Sequence, residues 1–218
     1  VEPIPVPTAA VACPDPPAAR RLGDLLEVPP RPDVRSRVVR PRDVGGRAAW
    51  SVLVRDGVLE VVRRDEDAAV VVDAPTGPAT RASLLRARVP SGAVVAARTA
   101  AWVHAGPAAD DGGRLDLTYR AGGHRPAVWG QGLCWQSPLL ADDVVDLAEV
   151  RVTDPVRTAV DLALHVVPAD DAARRVGTLV RACGVELADV GRRLERRVRA
   201  VGRPRARDVL RAVADDLL

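Results

Sequence analysis

The sequence predicts an α+β protein: an N-terminal winged-helix-like unit, degenerate or differently used, then a small mixed or antiparallel sheet with a C-terminal helical bundle. Three observations predict it. Short apolar segments separated by prolines lead into two β-branched runs around a polar turn, several strand-like runs with few helices fill the middle, and apolar residues recur at helical period beyond Thr153. A chain of 218 residues suits one large domain or two small ones, and 47% hydrophobic with 28% charged residues is an ordinary globular balance. The division expected is an arm at 1–17, a winged-helix-like unit at 18–74, and a second domain at 75–218. The second domain has its sheet at 93–153 and its helices at 154–218.

Residues 1–17 hold Pro3, Pro5, Pro7, Pro14, Pro16 and Pro17, which fix φ and remove donors, so they form an extended arm. Leu22, Leu25 and Leu26 predict a short amphipathic helix over 18–27, ended by Pro29, Pro30 and Pro32. A second short helix runs from Asp33, as N-cap, through Val38 to Val39, and Pro41 separates it from a third at about 42–55. Gly45-Gly46 weakens that third helix. Runs at 58–62 and 68–72 around the charged turn Arg63 to Asp67 read as a β-hairpin. Three helices and a hairpin is the order of a winged helix, in which the third helix enters the major groove.

In the middle, a helix at 81–88 precedes a strand at 93–95 and a helix at 98–104. Strands follow at 115–119, 127–129 and 133–136, then at 144–152 with an irregular centre. Trp102, Trp129 and Trp135 anchor this core. The segment Thr153-Asp154-Pro155 starts the helical part, with Thr153 as the cap and Val156, Ala159, Val160, Ala163 and Val167 on one face. The next helix carries Val176, Leu179, Val180 and Cys183, and Gly184 stops it. A third carries Leu187, Val190, Leu194, Val198 and Val201, with Arg192, Arg193, Arg196, Arg197 and Arg199 on the side away from that stripe. Gly202-Arg203-Pro204 breaks it, and a last helix packs Val209, Leu210, Val213 and Leu217.

Every one of the 32 basic residues is arginine, and Phe, Met, Asn and Lys are absent, a usage that points to a GC-rich bacterial genome before any function. Placement therefore carries the argument. Residues 1–89 hold 14 arginines against 12 acids, 90–191 hold 9 against 13, and 192–218 hold 9 against 4. The net +3 thus hides an acidic middle and a strongly basic end, an asymmetry that fits either a surface that attracts phosphate or a solvated helix face. No apolar run approaches the roughly 18 residues of a membrane helix, and residues 1–12 lack the pattern of a signal peptide, so the expected compartment is the cytoplasm with no membrane partner.

Enzyme chemistry finds no support in the residues. Cys13, Cys134 and Cys183 are far apart and read as reduced core thiols, while His104, His124 and His165 lack a second ligand at metal spacing. Gly130-Gln131-Gly132 has no third glycine, and there is no Walker loop or nucleophile elbow. Asp110-Asp111, Asp142-Asp143 and Asp170-Asp171 read as solvated acids in turns and helix starts. No enzyme activity, cofactor, metal site or catalytic residue is expected.

Two blocks carry a resemblance. The first runs Arg81-Ala82-Ser83-Leu84-Leu85, Val89-Pro90-Ser91-Gly92-Ala93-Val94-Val95 and Arg98-Thr99-Ala100-Ala101-Trp102-Val103-His104. The second is Val152-Thr153-Asp154-Pro155-Val156-Arg157-Thr158-Ala159-Val160-Asp161-Leu162-Ala163. In order and separation they resemble the AbiEi-family antitoxins of type IV toxin–antitoxin systems, over about residues 75–218. The resemblance implies an amino-terminal winged helix that represses an operon. It also implies a larger domain that counteracts a nucleotidyltransferase-like toxin, without implying a stable complex. The N-terminal third departs from that pattern, so the resemblance speaks for the second domain more than for operator binding. By their own chemistry the matched residues read as structural: Arg157 and Asp161 at i,i+4 can pair, and Thr99 and Trp102 pack helix against sheet.

The expected function is an antitoxin-like transcriptional regulator that binds promoter DNA, the alternative being a protein-interaction module that does not bind DNA. The residues expected at DNA are Arg42, Arg47, Arg63 and Arg64 of the first unit and Arg193, Arg196, Arg197, Arg199, Arg203 and Arg205 of the basic end.

Overall fold

The computed structural model describes residues 38–63, 67–74, 76–109, 113–126 and 132–217. The arm at 1–17, the helix at 18–27, Arg64, the strand at 127–129, Trp129, Cys13 and Asp110-Asp111 lie outside the described residues.

The described chain opens on β1 (Val38–Val39), a 3-10 turn (Pro41–Val44) and α1 (Arg47–Arg55), followed by β2 (Leu59–Glu60) and β3 (Ala69–Val71). These strands form a three-stranded sheet of order β1-β3-β2, with Val38 opposite Val70 and Leu59 opposite Val71. The hairpin pairs, over shorter strands than 58–62 and 68–72. Val38 and Val39 are not helical as expected: both are β-branched, and β3 offers them an unpaired edge, which no helical periodicity reveals.

α2 (Pro78–Leu85) leads to β4 (Ala93–Val95), α3 (Ala97–Ala105), β5 (Leu117–Arg120), β6 (Cys134–Ser137), β7 (Val144–Leu147) and β8 (Val150–Thr153). The second sheet has order β6-β5-β4-β8-β7 and is mixed, parallel at β4·β8 and β5·β6 and antiparallel elsewhere. β7 and β8 meet at Ala148 and Glu149, both at positive φ, which accounts for the irregular centre of 144–152. The protein is therefore α+β with a mixed central sheet and a helical C-terminus, as the sequence predicts.

That C-terminus is α4 (Pro155–His165), α5 (Ala169–Cys183), α6 (Leu187–Arg196) and α7 (Arg203–Asp216). α4 is capped by Asp154, not Thr153: the Asp154 carboxylate accepts from the amides of Val156 at 2.8 Å and Arg157 at 3.2 Å. Thr153 instead faces inward, with its hydroxyl 2.7 Å from that of Thr158. One apolar cluster joins Leu162, Val176, Leu179, Val190, Leu194 and Val209 across the helices, and a second joins Val70, Leu84, Leu85, Trp102, Leu117 and Val152. α3 serves both, giving Ala97 and Ala101 to the first and Trp102 and Val103 to the second. Burying each such leucine or valine contributes roughly 1.5–3 kcal/mol. Trp135 is only half-buried and sides with the helical cluster.

The two resemblance blocks meet in this core. Val95 of β4 pairs with Val152 of β8, and the His104 ring nitrogen Nε2 lies 2.7 Å from the Thr153 carbonyl. Arg81 is buried and donates to the carbonyls of Val103 at 2.8 Å and His104 at 3.0 Å, so α2 is tied to the end of α3.

Candidate functional site

α1 is entered through two glycines. Gly45 and Gly46 have φ of +86° and +107°, a region that side-chain-bearing residues avoid, and they end the 3-10 turn before the helix starts. They therefore do not weaken the helix, as their place in a 42–55 helix predicts, because they lie outside it. On α1, Arg47, Ala48, Ser51, Val52 and Arg55 are exposed, while Ala49, Trp50, Leu53 and Val54 are half-buried. Positions 47, 48, 51, 52 and 55 share one side at 100° per residue. The outer face thus presents a guanidinium at each end and small or apolar groups between them, about 12 Å apart along the axis.

The four arginines expected in the first unit divide. Arg42 is exposed, its guanidinium 3.7 Å from Asp43, and Arg47 reaches Asp67 at 2.6 Å with both side chains about two-thirds exposed. Such pairs are worth about 0–1 kcal/mol and exchange readily for a phosphate. Arg63 is instead buried, donates to the Arg114 carbonyl, and stacks 5.3 Å from the centre of the Trp102 ring. Its guanidinium holds the hairpin against α3 and the segment leading into β5.

The basic end differs most from expectation. α6 stops at Arg196, and Val198 and Val201, expected in its apolar stripe, are 73% and 91% exposed. Arg193 and Arg197 flank the stripe rather than oppose it, and the acids beneath draw both inward. Arg197 donates to Asp161 at 3.2 Å and to the Ser137 hydroxyl; Arg193 donates to Asp142 at 3.1 Å and to Asp143. Between them lies Arg157, 1% exposed, which donates to Asp161 and Asp143 at 3.0 Å each, to the Ser137 hydroxyl at 2.9 Å and to the Pro138 carbonyl at 3.2 Å. Burial lowers the Arg197 guanidinium and raises the Asp161 carboxyl, against the pull of the Arg157 and Arg197 charges on that carboxyl.

Asp143, expected as a solvated acid, is thus the buried hub of this network, and Asp171 likewise holds Arg175 at 3.0 Å. A DD pair does not reveal which acid turns inward; only the distant Arg157 and Arg193 decide it. Asp142 and Asp170 remain exposed.

Arg203 and Arg207 close on Glu195, Arg207 at 2.7 and 2.8 Å, and the hydrogen bonds from Arg207 lead in holding the Glu195 carboxyl down at about 2. Arg205 donates to the carbonyls of Ala163, Leu164 and Val166 at 3.0, 2.8 and 2.8 Å, satisfying the open end of α4. Of the six basic-end residues expected at DNA, only Arg196 and Arg199 are exposed with no ion pair among the described residues.

Beside this network lies a cleft of about 790 Å³ between β6, the end of α4 and the α6–α7 turn. Trp135 and His165 line it with ring centres 4.4 Å apart. His165 titrates at about 4, held neutral first by burial and then by the Arg197, Arg157 and Arg205 charges. Cys134 and Cys183 are half-buried free thiols, and burial pushes the Cys183 thiol up. Among the described residues no three His, Cys, Asp or Glu side chains gather to hold a metal, and no helix is long and apolar enough to cross a membrane.

No protein-family model matches the chain, and no curated protein matches it.

Proposed function

We propose that this protein is a promoter-binding transcriptional regulator of the antitoxin type, which contacts DNA through α1. The observation that carries the reading is the sheet order β1-β3-β2, with the 3-10 turn and α1 inserted between β1 and β2. That is the connectivity with which a winged helix presents a helix to the major groove and a hairpin to the backbone. The exposed face of α1 suits such a role: Arg47 and Arg55, in exposed ion pairs with Asp67 and with Asp56 at 3.1 Å, can exchange those partners for phosphates, the Ser51 hydroxyl suits a base edge, and Ala48 and Val52 suit thymine methyl groups. The wider reading, that residues 75–218 serve to counteract a nucleotidyltransferase-like toxin, rests on the resemblance of the two blocks to the AbiEi-family antitoxins.

The test is fluorescence anisotropy with the DNA upstream of the gene and with a scrambled duplex of equal length. The expected result is tighter binding to the upstream DNA and an affinity that falls steeply with salt. Failure to bind either duplex at low salt removes the reading and leaves the interaction module.

A further inference from the structure

The cleft beside the C-terminal network plays no part in contacting DNA as proposed, and its construction points to a ligand. Its inner wall is Trp135, Leu164 and His165, and its outer edge carries Arg196, Arg199 and Val201. A volume of about 790 Å³ falls within the range of small-molecule pockets, which are mostly apolar with a few placed polar groups. Arg193 and Arg197, which also line the cleft, are committed to Asp142, Asp143 and Asp161. Arg196 and Arg199 make no ion pair among the described residues, so among these residues the edge carries two surplus positive charges.

We propose that this cleft binds a small planar aromatic ligand bearing one anionic group. The ring lies against Trp135 and His165, and the anion meets the guanidinium groups of Arg196 and Arg199. A carboxylate and a phosphate share this chemistry, and the charge pattern requires only that the group be anionic. His165 is neutral at neutral pH, so it adds a polar ring face without a third charge.

The full chain is titrated at pH 7 by calorimetry with naphthalene-2-carboxylate, 2-naphthyl phosphate, the neutral naphthalene-2-carboxamide and inorganic phosphate. The expected result is saturable binding of at least one aromatic anion, at least tenfold weaker binding of the carboxamide, and none of inorganic phosphate. The tighter of the two aromatic anions identifies the head group. The R196Q/R199Q variant, altered only at exposed positions, should weaken the aromatic anion at least tenfold while its thermal unfolding stays that of the wild type. A Trp135→Leu variant, checked for folding in the same way, should also lose affinity. Equal binding of anion and carboxamide, unchanged binding by R196Q/R199Q, or no binding of either anion at millimolar concentration overturns the proposal.

Discussion

His165 titrates at about 4 in the folded chain against an ordinary 6.5, so between those values the unfolded chain binds the extra proton. The sign follows directly: this contribution is fully present above about pH 6.5 and is lost as pH falls toward 4. Between pH 7 and pH 5 the loss amounts to about 2 kcal/mol. His165→Phe keeps a ring beside Trp135 and removes the titration, so urea unfolding of the two proteins should diverge by that amount at pH 5 and agree more closely at pH 7. A parallel loss in both proteins would mean that His165 is solvated. The arginines show the same dependence on surroundings. Arg157 and Arg196 are one residue type in one charge-rich region, yet Arg157 is buried among acids and Arg196 faces solvent. A helical wheel separates them only in part, because the partners Asp143 and Ser137 come from other elements.

Arg157 binds α4 to the β6–β7 connection, and Arg197 and Arg193 bind the end of α6 to both, so the network joins elements rather than decorating one. Arg157→Ala leaves Asp143 and Asp161 buried without their shared cation and should cost about 3–5 kcal/mol in denaturant unfolding. Arg174→Ala, which breaks an exposed pair with Asp171, should cost under about 1 kcal/mol. Equal costs would show the network to be open to water. α4 and α5 are legible in the sequence because their apolar residues keep the helical period and their ends carry Pro155 and Gly184, except that Val167, expected on the face of α4, lies past its end at His165 and is exposed. Periodicity makes α6 too long, because Val198 and Val201 keep the period beyond its end. The chain leaves the helix at Arg197, whose guanidinium reaches the Asp161 carboxylate of α4, a partner 36 residues away that the period does not show. β1 is not legible as a strand because two residues have no period, and its partner lies some thirty residues away.

Across the whole molecule, the basic end is largely neutralised within the fold, and the first unit presents the helix suited to a groove. The charge count of 192–218 is legible in the sequence, but whether those charges face outward is not, since Asp142, Asp143, Asp161 and Ser137 are all distant in the chain. The face of α1 is legible in its spacing once Gly45-Gly46 is placed outside the helix. Which of the two arginine sets meets DNA is decided by the salt dependence of DNA affinity for three proteins: wild type, R47Q/R55Q and R196Q/R199Q. Each phosphate contact contributes about 0.9 to the slope of log affinity against log salt. R47Q/R55Q should flatten that slope by about two units, while R196Q/R199Q leaves it at the wild-type value. A slope flattened by R196Q/R199Q and untouched by R47Q/R55Q would refute contact through α1 and return the DNA contacts to the C-terminal arginines.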